Sequence, residues 1–242
     1  LIEEHETVIS KIIYNSFHVI YVLRSYNLDY YFPKNKMLAK ALYKKAAAIV
    51  CVSKEIEHLV EKTYGFKNVS TIYNPIEKDV LTEGENYSVN YNYILAYGRL
   101  DDAVKNYSLL INAYKASSLS KENLKLVLLG SGEDLILLKQ KVAELNLKGS
   151  VCFIPFKKKP LEIVAKAKFV CLTSRFEGFP RVLIESLSVG VPVISVNCKS
   201  GPSEIMKLKT EKNDIMITDY GILVPIKNTD LMAKGVRYFV EN

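Results

Sequence analysis

The chain has 242 residues, 49% of them apolar, and a formal net charge of +7, so it is long enough for one large domain or two modest ones with a packed core. Its longest apolar stretch, "AAAIVCV" at 46–52, falls far short of the roughly 20 residues that a membrane span requires. The charge is spread, 10 basic against 7 acidic residues in 1–75 and 23 against 19 in 76–242, without the concentrated patch that nucleic acid demands, so no nucleic-acid partner is expected.

In chain order, "LIEEHETVIS" lacks the basic flank, apolar core and small-residue site of a secretory signal. "KMLAKALYKK" (36–45) reads as a helix that interleaves Lys with apolar residues. It is either a solvated face with a core side or a surface for an anionic membrane. "AIVCV" (48–52) follows as a short strand, and Ser53 is placed to cap a helix that ends at Gly65. "STIYNPI" (70–76) is a strand stopped at Asn74-Pro75, and the polar stretch 76–90 reads as an interdomain linker. Seventy-five residues are few for a sheet domain with its own core, so 1–75 is taken as the closing part of a domain.

From residue 91 the pattern alternates. Strands are expected at 91–98, 124–130, 150–156, 168–174 and 191–195, with helices at 106–116, 134–145, 160–167 and about 180–189. Strands without polar alternation, separated by helices, imply a doubly wound α/β domain over 91–242 whose parallel sheet is buried on both faces. The four cysteines, Cys51, Cys152, Cys171 and Cys198, fall within these apolar runs with no C-x-x-C. They read as reduced thiols of a cytosolic protein rather than as disulfides or zinc ligands.

Ligands of such sheets bind at the carboxyl ends of the strands, which directs attention to three loops. "YGRLDDAVKN" places Gly98 and Arg99 after the first strand and Lys105 at the start of the next helix. This is a seat for a diphosphate, or else a pair of solvated cations. "GSGED" (130–134) opens a helix with Gly130 and Gly132, either as a plain turn or as an approach for a base or ribose. It has neither the P-loop nor the full G-x-G-x-x-G spacing. "SRFEGFPRVLIESLSVGVPVIS" (174–195) puts Glu177 in a loop and Glu185 about one and a half turns into a helix, the two on the order of 10 Å apart. With both on one loop and helix, they suit a two-point grip on hydroxyls better than the facing carboxylates of a hydrolase. The amides of Gly178, Phe179 and Arg181 would lie at the positive helix end.

The last stretch resembles the E-x7-E motif of the group 1, or family 4, glycosyltransferases of GT-B fold. "YGRL" with "KN", "LLGSGE", "FIPF" and "SGPSEI" (200–205) fall in that family's order. The resemblance covers about residues 37–242. It implies a GT-B arrangement: 1–75 from an acceptor-side Rossmann-like domain, then a nucleotide-sugar-binding domain. It also implies a retaining transferase that moves a hexose or N-acetylhexosamine from a nucleotide-diphosphate sugar, UDP ahead of GDP, to a glycan or lipid-linked acceptor in surface polysaccharide or glycoconjugate synthesis. No metal and no further cofactor are expected. In its terms Glu177 contacts the sugar, Glu185 the ribose, and Arg99 and Lys105 the diphosphate. The backbone around Gly178 and Phe179 meets sugar hydroxyls, Gly98 belongs to the donor-binding diphosphate seat, and the base lies near Gly130, against Phe156 or Lys157. Glu204 of "SGPSEI" is either a donor contact or part of a helix start capped by Ser203. The implied location is cytoplasmic, at the inner membrane face. The alternatives are a non-catalytic nucleotide-sugar-binding fragment or partner subunit, and a nucleotide-sugar epimerase.

Overall fold

In a computed structural model the described residues are 19–76 and 90–242. The N-terminal stretch read for a secretory signal and, apart from its two ends, the stretch read as a linker lie outside them. Contacts divide the chain into two compact units. One holds the chain up to Pro75 together with Phe176–Phe179 and Lys199–Glu204. The other holds Ile76–Arg175, Pro180–Cys198 and Ile205–Asn242.

The first unit carries a parallel three-stranded sheet, β1 (Ile20–Leu23), β2 (Ala48–Cys51) and β3 (Val69–Thr71), with β2 in the middle. Helix α1 (Lys36–Tyr43) is capped by Asn35, whose side chain accepts from the amides of Met37 and Leu38. Helix α2 (Lys54–Tyr64) is capped by Ser53, which accepts from Ile56 N–H, and ends at Gly65 in the left-handed conformation (φ 70°), as the sequence indicates. The final strand is shorter than expected: it ends at Thr71, beyond which Ile72 N–H still donates to Cys51 O at 2.9 Å. The structure also corrects the expectation that so short a stretch lacks a core. Phe32, Tyr43, Tyr64 and Phe66 pack ring on ring over Leu23, Ile49 and Ile56, and a few aromatics bury enough area to close a small cluster.

The second unit is a seven-stranded sheet in the order β6-β5-β4-β7-β8-β10-β9, parallel except for β9. Strand β4 (Tyr93–Tyr97) leads through α3 (Asp102–Lys105) and α4 (Tyr107–Ala116) to β5 (Lys125–Leu129). Then come α5 (Leu135–Glu144), β6 (Val151–Ile154), α6 (Leu161–Ala165), β7 (Val170–Leu172), α7 (Arg181–Ser188) and β8 (Val193–Val196). The chain continues through α8 (Pro202–Ile205), counted with the first unit but for its last residue, to β9 (Met216–Thr218), β10 (Gly221–Val224) and α9 (Thr229–Glu241). Alternate strand residues feed two cores. Ile94, Ala96, Leu126 and Leu128 pack with Tyr114, Leu138 and Met232 of α4, α5 and α9. Tyr93, Leu95, Val127 and Leu129 pack with Leu161, Val164 and Leu183 of α6 and α7. That two-sided burial is the physical meaning of the continuous apolar runs. All four cysteines are free thiols, three of them buried.

Candidate functional site

The strand order defines where chemistry can sit. From β4 the chain winds outward through β5 and β6, whereas β7, β8 and β10 extend the sheet the other way. The direction therefore reverses between neighbours β4 and β7, and the chain leaving their carboxyl ends, 98–106 and 173–175, borders the crevice where such sheets bind ligands.

The first loop is strongly tied. Gly98 (φ 141°) donates its amide to Leu129 O and Leu100 donates to Ser131 O. Asp101 caps α3 by accepting from Val104 N–H and pairs with Arg99 at 3.2 Å, whose side chain remains 70% exposed. Asp134 accepts from Asp102 N–H and Asp102 from Ser108 N–H, each at 2.7 Å. Lys105 departs from expectation. It does not begin the long helix but ends the four-residue α3, because Asn106 (φ 54°) takes the left-handed conformation that Asn tolerates and breaks the helix in two. Lys105 is half-buried two residues before α4.

The second loop joins this one. A Cβ on Gly130 would stand 1.8 Å from Gly98 O, and one on Gly132 would stand 2.2 Å from Leu100 O. The close approach these glycines permit is that of the neighbouring backbone, which occupies the side expected for a base or ribose. The Phe156 amide donates to Ser131 Oγ at 3.2 Å, so "FIPF" and "GSGED" do meet, and the Phe156 ring stands 69% exposed beside the half-buried Lys157.

Across the switch point, Thr173 Oγ1 donates to Lys105 O at 2.9 Å, Arg175 N–H to Val104 O at 2.9 Å, and Arg175 Nη2 to Asn106 Oδ1 at 3.0 Å. Ser174, fully buried, is the one buried side-chain polar atom among the described residues without a hydrogen-bond partner. Pro180 takes the N-cap position of α7, one residue earlier than the first turn, and no side chain caps that end. Gly190 (φ 76°) follows its C-terminus. Glu185 accepts from the Tyr97 hydroxyl at 3.1 Å and pairs with Arg181 at 3.1 Å. Burial, reinforced by the Glu185 carboxylate, pushes the Tyr97 phenol far up.

Glu177, Gly178 and Phe179 count with the first unit. Phe176 bridges to Lys199, Glu177 N–H donates to Lys199 O, and Tyr26 N–H donates to Glu177 O, both at 3.3 Å. A Cβ on Gly178 would lie 1.8 Å from Arg24 O, so only glycine fits. Ser200 ties the two segments: its hydroxyl bonds Gly178 O at 2.5 Å and Ser53 Oγ at 2.6 Å, while its amide donates to Glu55 at 2.8 Å. Phe179 stacks on Tyr73 at 4.8 Å, and its carbonyl accepts from Asn74. Glu204 accepts from Lys54 N–H and from the Tyr73 hydroxyl, whose pKa this bond pushes up to about 12. The helix there opens at Pro202, so Ser203 lies inside it rather than capping it.

Sequence reasoning passed over Tyr97, Thr173, Asn106, Asp134 and Ser200. For Tyr97 a signal was present, a polar-tipped aromatic closing an otherwise apolar strand.

The family model of glycosyl transferases group 1 matches residues 78–242. The chain belongs to this family. Among group 1 glycosyl transferases it is 35% identical over 215 residues to the N-acetylgalactosamine-N,N'-diacetylbacillosaminyl-diphospho-undecaprenol 4-alpha-N-acetylgalactosaminyltransferase of Campylobacter jejuni, covering 86% of this chain and 54% of that protein. To the lipopolysaccharide 1,6-galactosyltransferase of Escherichia coli it is 30% identical over 156 residues, covering 62% and 43%. The chain spans about half the length of the curated relatives it matches. Solved glycosyltransferase structures share the GT-B fold with it. Anabaena HepE in complex with UDP superposes with a TM-score of 0.76 at 20% identity, covering 97% of this chain and 66% of that one. Staphylococcus aureus TarM in complex with UDP and other ligands gives 0.73 at 19% identity, covering 92% and 44%.

Proposed function

We propose that the chain carries the donor-binding machinery of a retaining glycosyltransferase that moves a hexose or N-acetylhexosamine from a UDP-sugar to a lipid-linked or lipopolysaccharide acceptor. The observation that carries this reading is the switch point. The Arg99–Lys105 loop and the loop leading to Glu177 leave adjacent strands β4 and β7, in a chain whose family transfers glycosyl groups. Relatives named for undecaprenol-linked and lipopolysaccharide acceptors, and fold neighbours solved with UDP, support the choice of acceptor and donor.

In this reading Arg99 and Lys105 neutralise the leaving diphosphate, so transfer needs no metal. The exposed Phe156 ring offers a stacking face to the base, with Lys157 beside it and Gly98 and Gly130 shaping the loops behind. Glu185 takes the ribose diol, and Glu177, with the Gly178–Phe179 backbone, takes the sugar. Helix α1 adds a membrane contact. Met37 is 82% exposed and Leu38 lies beside it, among Lys34, Lys36, Lys40, Lys44 and Lys45, a composition suited to the anionic inner face of a cell membrane. No helix among the described residues is long and apolar enough to cross a membrane.

The deciding experiment supplies radiolabelled UDP-, GDP-, ADP- and dTDP-sugars with undecaprenol-linked and lipopolysaccharide acceptors. Transfer from a UDP-sugar is expected, with EDTA present. Epimerisation without acceptor, or binding without transfer, replaces this reading by an epimerase or a donor-binding subunit.

A further inference from the structure

Both oxygens of Glu185 are held, from opposite sides. Oε2 accepts from the Tyr97 hydroxyl at the end of β4, and Oε1 faces Arg181 Nη2 one turn back on α7. The Glu185 side chain is only 16% exposed, while that of Arg181 is 57% exposed.

Neither partner is explained by its own element. Tyr97 is buried in the cluster beneath α6 and α7, and its hydroxyl also lies 3.1 Å from Val182 O. A phenol has one hydrogen to donate, so that carbonyl alone would satisfy it, and a second acceptor in the form of a carboxylate adds nothing to packing. Arg181 opens α7, where the helix dipole disfavours a cation. Arg preceding Glu by four residues is also the weaker order for a helical ion pair.

What the pair does achieve is geometric. An oxygen fixed from the strand and an oxygen fixed from the helix lock the plane of the carboxylate, leaving further lone pairs on each for a vicinal diol. We propose that Tyr97 and Arg181 are positioning residues that orient Glu185 for the ribose of a nucleoside diphosphate, and so set the affinity for that ligand. The inference rests on the ribose role proposed for Glu185.

The test is calorimetry on the full chain. UDP, GDP, ADP and dTDP are titrated into the wild type, and the tightest binder is then titrated into Tyr97→Phe, Arg181→Gln, Glu185→Gln and each of the first two combined with Glu185→Gln. Tyr97→Phe is expected to raise Kd about five- to tenfold. Arg181→Gln is expected to raise it about two- to fivefold, as a partly exposed ion pair. Both losses vanish once Glu185 is already Gln, a coupling that a merely structural Tyr97 does not produce. Losses that persist undiminished in the Glu185→Gln background, or no loss at all, overturn the positioning role while leaving the ribose reading intact. Wild-type binding by Glu185→Gln overturns the ribose reading itself, and no binding of any of the four by the wild type overturns both. If Tyr97→Phe does not fold, the Arg181 cycle decides alone, its side chain being exposed.

Discussion

The Thr173 hydroxyl donates to the carbonyl of Lys105 at 2.9 Å, fastening the end of β7 to the short helix that follows β4. With Arg175 N–H on Val104 O, it makes one body of two loops that border the switch point. Thr173→Val keeps the shape and removes this hydrogen bond, for a loss of about 0.5–1.5 kcal/mol in unfolding free energy. Nucleoside diphosphate affinity is expected to fall along with it. Titration and melting of the same variant check both, and full affinity in a destabilised variant argues against the loop's role in binding.

Arg99 and Lys105 give the sharpest activity prediction. Arg99 is solvent-exposed, so Arg99→Ala leaves the melting temperature within about a degree or two, while a lost charge-assisted contact to diphosphate lowers transfer by roughly ten- to a hundredfold. Lys105→Ala and Glu177→Gln are expected to match it in transfer. Near-native turnover in any of the three removes that residue from the proposed machinery.

Two glycines, Gly130 of the second loop and Gly149 before β6, separate two kinds of strain. Gly130→Ala forces a Cβ to 1.8 Å from Gly98 O and is expected to cost about 3 kcal/mol or more. Gly149 is also left-handed (φ 83°), but a Cβ there meets nothing within 4 Å, so Gly149→Ala costs only the backbone term of about 1–2 kcal/mol. Denaturant melts of the two variants, measured side by side, should rank them in that order.

Alkaline pH should loosen the fold. Burial, with Glu57 and Glu61 adding to it, raises the Cys51 thiol from 9.0 to about 12. A pKa raised on folding favours the protonated native thiol, so its contribution is complete below pH 9 and declines by about 1.4 kcal/mol per pH unit between pH 9 and 12. Burial raises the Cys171 thiol as well. The melting temperature is therefore expected to hold to about pH 8.5 and to fall above pH 9, less steeply in Cys51→Ala. An identical slope in that variant would falsify the assignment to Cys51.

Most of the second unit was legible because each core strand is a nearly unbroken apolar run and each helix has turn chemistry at its ends. Pro180 and Gly190 bracket α7, and every expected strand between 91 and 196 formed, each end within one or two residues of the expected one. Two things escaped. Strands β9 and β10 were not anticipated, since "MIT" and "GILV" are too short to carry a period; β10 owes its place to pairing with β8, and β9 to pairing with β10. The break at Asn106 was hidden because the sequence runs helical on both sides, and the Asn106 side chain is held there by Arg175 from β7's loop, a contact 69 residues away. At the site, residue types and loop membership could be read from the sequence. Tyr97 as partner of Glu185, Thr173 of Lys105 and Ser200 of Gly178 could not, since each comes from a distant element.

The strand order also has a temporal side. Strand β4 finds β5 within about thirty residues, but its other neighbour, β7, begins at Val170. A chain leaving the ribosome at roughly 5–20 residues per second therefore holds a three-stranded half-sheet, with one flank of β4 unpaired, for roughly one to four seconds before β7 emerges. The crevice between β4 and β7 is thus the last-assembled part of the half-sheet's growth, and until it closes that flank is an open edge on which a second nascent chain can pair.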